Sequence, residues 1–168
     1  MRSLLVIGGT RSGKSRYAQE RTEAVPGSLA FIATAERGDA EMAERIARHQ
    51  ADRGPRWTAY EAPVDLPEAI RSAEERNDAI LVDCITLWLS NLMLLERDVD
   101  EGAAALERAV RECRVPLAIV TNEVGCGIVP MGELARRFRD QAGWINQRLA
   151  AVASEVVLVS AGLPLKLK

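Results

Sequence analysis

The sequence predicts an α/β domain of three layers around a mostly parallel central sheet, and three observations predict it. Aliphatic runs alternate with helical stretches along the chain, and a glycine-rich loop directly follows the first run. Several of the runs are continuous rather than alternating, as strands covered on both faces are. Strand candidates are Leu4–Ile7, Leu29–Thr34, Trp57–Glu61, Ile80–Asp83, Leu117–Thr121, Val156–Ser160 and a terminal Leu163–Leu167. Helical stretches fall at Lys14–Ala24, Asp39–Arg53, Leu66–Arg76, Leu87–Glu96, Glu101–Glu112 and Met131–Ala153. The last has the clearest period, with Leu134, Phe138, Ala142, Ile145, Leu149 and Val152 on one face. Pro26-Gly27 and Gly54-Pro55 mark turns. No repeat, linker or low-complexity tract divides the chain, so residues 1–168 read as one domain. Ligands of such a fold gather beyond the carboxyl ends of the strands.

The loop is GGTRSGKS, with Gly8, Gly13, Lys14 and Ser15 in the spacing G-x-x-x-x-G-K-S. This is a P-loop. Inward-pointing backbone N–H groups of Gly8, Gly9, Thr10, Arg11, Ser12, Gly13, Lys14 and Ser15 wrap a phosphate chain, and the glycines let the backbone come close. Lys14 can reach the β- and γ-phosphates, and the Ser15 hydroxyl can ligate Mg²⁺. The position between a strand and a helix adds the partial positive charge of the helix N-terminus. The expected class is therefore a P-loop NTPase domain of the RecA-like kind.

The second half of such a site is an acidic residue that ends a buried strand and holds the magnesium shell. Asp83 closes Ile80–Val82 and meets that description. Aspartate is also favoured as an N-cap, and the two roles are compatible. At the next strand end, TNEVGCGIVP places Asn122 and Glu123 at the same edge of the sheet. Glu123 can ligate metal, position a water, take a proton from a hydroxyl, or simply be solvated in a polar loop. His49 is the only histidine. On the helix expected at Asp39–Arg53 it shares a face with Met42, Ile46 and Arg53, with Asp52 nearby. A lone helix histidine can be structural, and an imidazole can also be a phosphoryl-transfer nucleophile.

Composition excludes several classes. The net charge of −2 supplies no positive field for nucleic acid or an anionic membrane. Cys84, Cys113 and Cys126 are odd in number and contain no C-x-x-C pair, which argues against a disulfide framework or a zinc site and for a reducing cytoplasm. The apolar stretch Cys84–Leu95 is too short to span a bilayer, and no signal peptide is expected. A guanine-reading N-K-x-D segment, which a GTPase switch needs, is absent. Arg136, Arg137 and Arg139 lie beside Glu133 and Asp140 and read as a solvated helix face rather than a nucleic-acid surface. The helix after Asp83 carries Leu87, Trp88, Leu89, Leu92, Met93, Leu94 and Leu95 almost all round, which predicts burial on every side and favours a subunit contact.

Seven segments occur together in order: GGTRSGKS, FIATA, RIARHQADRGPRW, LVDCITLWLSNL, TNEVGCGIVP, RRFRDQAGWINQRLA and VVLVSAGLPLKLK. Over nearly the whole chain they resemble the bifunctional adenosylcobinamide kinase/adenosylcobinamide-phosphate guanylyltransferases of cobalamin assembly. The resemblance implies that a nucleoside triphosphate, ATP or GTP, with Mg²⁺ phosphorylates the aminopropanol hydroxyl of adenosylcobinamide. GTP then gives GMP to adenosylcobinamide-phosphate through a guanylylated histidine, which the family pattern puts at His49. It further implies nucleotide contacts at Ala33, Thr34 and Ala35, at Gln50, Ala51, Asp52 and Arg53, and at Glu61 and Asp83. A homo-oligomer, a trimer, is implied as well. The alternative is a P-loop kinase of another small hydroxyl substrate, with His49 idle.

Overall fold

The computed structural model describes residues 2–35 and 54–168. Its strands are β1 (Ser3–Gly8), β2 (Leu29–Ala33), β3 (Trp57–Glu61), β4 (Ala79–Asp83), β5 (Leu117–Asn122), β6 (Glu155–Ser160) and β7 (Leu163–Lys166). The helices among the described residues are α1 (Lys14–Glu23), α2 (Leu66–Glu74), α3 (Ile85–Leu94), α4 (Val99–Glu112) and α5 (Glu133–Val152). All seven expected strands form, within one or two residues of their expected ends. The helix expected at Asp39–Arg53 lies outside the described residues.

The strands make one sheet in the order β3-β2-β4-β5-β1-β6-β7. Six run parallel, and β7 turns back antiparallel to β6. The α/β class and the mostly parallel sheet follow as expected. Alternation along the strands sorts the core into two faces. Leu4 and Val6 pack with Ala18 of α1, Leu81, Val120 and Val157. Leu5 packs with Ile80, Val82 and Ile119 under Leu66, Trp88, Leu106 and Leu149 of the other four helices. Leu4 and Leu5 are both fully buried, each worth about 1.5–3 kcal/mol of transfer free energy. Continuous aliphatic sequence is the consequence: a strand with helices on both sides has no polar face.

Two helices depart from expectation. In α3, Ile85, Trp88, Leu89 and Leu92 are buried within the chain, and the Trp88 indole donates to the Val64 carbonyl at 2.7 Å. Leu94 is 69% exposed and Leu95 51%, so α3 is covered on one side only by its own chain. In α5 the apolar face is buried at Ala142, Ile145 and Leu149, but Leu134 is 57% exposed. The first turns of α5 line an open apolar cavity with Ser90, Met93 and Leu94 of α3, and helical period does not reveal which turns of a helix its neighbours cover. Arg136 is not merely solvated either: its guanidinium donates to the carbonyls of Pro130 (3.1 Å) and Met131, tying the preceding loop to α5. Arg139 pairs with Asp140 at 2.8 Å.

Candidate active site at the carboxyl edge of the sheet

Strand register brings four expected site segments to one edge. Gly8 ends β1 opposite Asn122 of β5, and the Glu123 N–H donates to the Gly8 carbonyl at 3.1 Å. Asp83 ends β4 opposite Val120, which in turn faces Val6. On the other side Asp83 is level with Ala33, and Ala33 with Glu61. At about 4.8 Å per strand, Asp83 stands two strands, about 10 Å, from the P-loop strand, whereas Glu61 stands four strands, about 19 Å, away. Asp83 is therefore the carboxylate that stands near the P-loop strand, and Glu61 stands too far from it to share an ion held there. His49, Gln50, Ala51, Asp52 and Arg53 lie outside the described residues.

Gly8 to Ser15 fold as a loop between β1 and α1. Gly13, at φ 96°, holds the left-handed conformation that starts α1, and the Tyr17 N–H donates to its carbonyl at 3.0 Å. The Lys14 ammonium folds back onto the Gly9 carbonyl at 3.1 Å, and the residue as a whole is 8% exposed, so its charge stands over the loop. The turn between β6 and β7 supports the loop from behind. Ala161 and Gly162 both have positive φ, as a two-residue hairpin requires, and the Gly162 N–H donates to the Ser12 carbonyl at 2.8 Å. Nothing in the sequence reading pointed to this support. Its signal is the Ala-Gly pair between two short apolar runs.

The loop fits a phosphate chain and magnesium. The Ser12 hydroxyl oxygen is buried with no hydrogen-bond partner, a state that costs about 1–3 kcal/mol unless a ligand completes it. The donor set of one hydroxyl, Ser15, and one carboxylate, Asp83, suits Mg²⁺, which keeps several waters and takes the rest of its ligands from phosphates. Among the described residues no group of three or more His, Cys, Asp or Glu forms an all-protein metal cage.

Asp83 is not the cap of the following helix. That position belongs to Cys84, whose side chain makes no capping bond, and Asp83 precedes it. Burial pushes the Cys84 thiol up to about 11, with the neighbouring carboxylate of Asp83 adding to the shift, so it stays protonated beside the site. Thr34, expected to contact nucleotide, is fully buried with its hydroxyl turned to Cys84.

The end of β5 is held from two helices. Asn146 of α5, a buried polar residue in an otherwise apolar stripe, accepts from the Thr121 hydroxyl at 2.8 Å and donates to the Asn122 carbonyl at 3.2 Å. The Thr86 hydroxyl of α3 accepts from the Asn122 N–H at 2.8 Å. Glu123 thus leaves the sheet at a fixed point beside the P-loop, with one carboxylate oxygen accepting from the Gly125 N–H at 2.7 Å.

Comparison with known proteins bears on the fold and on the family. The fold is similar to the flagellar accessory protein FlaH of Methanocaldococcus jannaschii, with TM-score 0.53 and 13% identity over 93% of this chain and 70% of that one. A KaiC-like protein of Pyrococcus horikoshii OT3 matches with TM-score 0.53 over 93% of this chain and 71% of its own. In sequence, the chain is 45% identical to the bifunctional adenosylcobalamin biosynthesis protein CobP of Pseudomonas aeruginosa, over 98% of this chain and 96% of that one. It is 42% identical to the bifunctional adenosylcobalamin biosynthesis protein CobU of Salmonella typhimurium, over 98% of this chain and 99% of that one. Residues 4–167 match the family described as cobinamide kinase / cobinamide phosphate guanyltransferase, and the chain belongs to that family.

Proposed function

We propose that the carboxyl edge of this sheet carries both reactions of the family, with adenosylcobinamide and then adenosylcobinamide-phosphate as acceptors. The observation that supports it is the P-loop itself: Lys14 over the loop, the orphaned Ser12 hydroxyl within it, and Asp83 and Glu123 at the neighbouring strand ends. In the first reaction the loop amides and Lys14 hold the triphosphate of ATP or GTP, and their positive ends meet the charge that grows on the transferring γ-phosphoryl group. Ser15 and Asp83 would hold Mg²⁺, which when bound neutralises phosphate charge. Glu123, one residue past the strand end that pairs with Gly8, takes or directs the proton of the attacking aminopropanol hydroxyl.

In the second reaction a ring nitrogen of His49 attacks the α-phosphorus of GTP. The bond from that phosphorus to the bridging oxygen breaks, and pyrophosphate leaves. The phosphate oxygen of adenosylcobinamide-phosphate then attacks the same phosphorus, the N–P bond breaks, and adenosylcobinamide-GDP forms. A neutral imidazole near pH 7 suits the first step. Ala33, Ala35, Glu61 and the segment Gln50–Arg53 would contact the nucleotide, with Arg53 on its phosphates.

The exposed apolar residues Leu94, Leu95, Ile128, Met131 and Leu134 support assembly into a homo-oligomer, and the family resemblance implies a trimer. No described helix is long and apolar enough to cross a membrane. The three free cysteines suit a reducing compartment, and we place the enzyme in the cytoplasm. Relatives named as bifunctional do not favour a kinase of another hydroxyl substrate. The test is label from α-³²P-GTP. Wild-type protein gains one acid-labile, alkali-stable GMP, while His49→Ala gains none and still phosphorylates adenosylcobinamide. GMP on another residue, or on none, overturns the histidine assignment.

A further inference from the structure

Asp83 needs a fixed direction, because a metal-holding carboxylate must be set to within about 0.5 Å. Its side chain springs from the Cα between the two flanking peptide groups, so whatever fixes the Cys84 peptide sets the direction in which the Asp83 side chain leaves the backbone. Cys84 is 7% exposed and stands where β4 gives way to α3, so its N–H has no strand partner. Buried backbone groups find partners. Here the partner is one hydroxyl: Thr34 Oγ1 accepts from the Cys84 N–H at 2.8 Å and donates to the Cys84 carbonyl at 2.6 Å.

Thr34 is itself held. Its N–H donates to the Asp83 carbonyl at 3.4 Å, and its own carbonyl accepts at 2.8 Å from the Asn91 amide of α3, which also reaches the Pro63 carbonyl at 3.0 Å. Fully buried, with its proton and a lone pair spent on the two backbone groups of Cys84, the Thr34 hydroxyl faces the backbone rather than a ligand.

We propose that Thr34 is a positioning residue for Asp83, acting through the Cys84 peptide and not by a side-chain contact with nucleotide. The proposal rests on Asp83 as a magnesium ligand. Its test is binding of a fluorescent GTP analogue to the full chain, titrated with Mg²⁺, in Thr34→Val, Thr34→Ser, Asp83→Asn and the Thr34→Val/Asp83→Asn double variant. Thr34→Val should raise the half-saturating Mg²⁺ concentration about tenfold or more, as lost outer-shell partners do. Affinity without Mg²⁺ should stay as in the wild type. Thr34→Ser, which keeps the hydroxyl, should restore the wild-type curve. In the Asp83→Asn background Thr34→Val should add nothing, because neighbours acting as one unit are non-additive. A folded Thr34→Val protein with the wild-type Mg²⁺ curve overturns the proposal, and so does a shift that persists in the Asp83→Asn background. If Asp83→Asn alone keeps the wild-type curve, the metal role of Asp83 fails first and takes the proposal with it. Should Thr34→Val not fold, Asn91→Ala frees only the Thr34 carbonyl from α3. The same cycle then applies, with a smaller shift that again vanishes in Asp83→Asn.

Discussion

Gly8 and Gly9 are adjacent, and the structure separates them sharply. A Cβ at Gly8 would lie 2.5 Å from the Val159 carbonyl oxygen and 2.5 Å from the Ser12 hydroxyl oxygen. A Cβ at Gly9 meets nothing within 4 Å. The Ser12 side chain can rotate away, but Val159 belongs to β6, which is held between β1 and β7. Relief to an ordinary 3.4 Å contact requires about 0.9 Å of backbone movement at the root of the P-loop. Overpacking of this kind costs about 1–3 kcal/mol. For a domain of this size that lowers Tm by about 2–4 °C per kcal/mol, hence by roughly 2–12 °C. A shift of about 1 Å in a positioned site costs about a hundredfold in rate. Gly8→Ala should therefore lose both Tm and kinase turnover, whereas Gly9→Ala should keep its Tm whatever it does to nucleotide binding. Differential scanning fluorimetry and a coupled assay of nucleoside diphosphate release, run with ATP and with GTP, read the two. A Gly8→Ala protein with wild-type Tm and turnover, or a Gly9→Ala protein equally destabilised, refutes the reasoning.

If one phosphate clamp serves both reactions, as proposed, Lys14→Ala should lower both phosphorylation and guanylyl transfer by about three powers of ten with an unchanged circular dichroism spectrum; normal guanylyl transfer in that variant would mean two independent nucleotide sites. Arg21 donates to both carboxylate oxygens of Glu155, at 2.9 and 2.8 Å, and holds that carboxyl below its ordinary range. A carboxyl depressed on folding stabilises the protein above its unfolded pKa and loses that contribution as pH falls through the folded value. Glu155→Gln should thus cost about 1 kcal/mol at pH 7, and the gap to wild type should close in strong acid, as thermal melts across pH would register. Light scattering at micromolar concentration should give a multiple of the 18.4 kDa chain mass, and a monomer mass would remove the proposed subunit contact from α3 and the loop before α5.

The fold was legible because its signals are local. Glycine spacing marks the P-loop, and uninterrupted aliphatic runs mark strands with two covered faces. Asp83 was legible as a carboxylate at the end of such a run. Thr34 was read from resemblance as a nucleotide contact, while its hydroxyl bonds to a peptide 50 positions away, and no local pattern announces a side chain that serves remote backbone. Asn146 escaped for a related reason: helical period selects apolar positions, and a polar residue on the same stripe looks like an interruption until the end of β5 is seen to need it. Leu134 obeys the period and yet is exposed, because period describes a helix and not the packing of its neighbours, which here leave an open cavity against α3.

The hairpin behind the P-loop has a temporal consequence. Ser12 leaves the ribosome about 150 residues before Gly162, whose N–H completes its backing, and β6 is the strand that fills the open side of β1. At about 5–20 residues per second, the phosphate loop exists for roughly 8–30 s as a bare strand edge followed by unsupported glycines. During vectorial synthesis the chain makes its binding loop well before its buttress. Nascent chains stalled before β6 should leave β1 open to pairing with other strands, and nucleotide competence should arise only once the hairpin has cleared the exit tunnel.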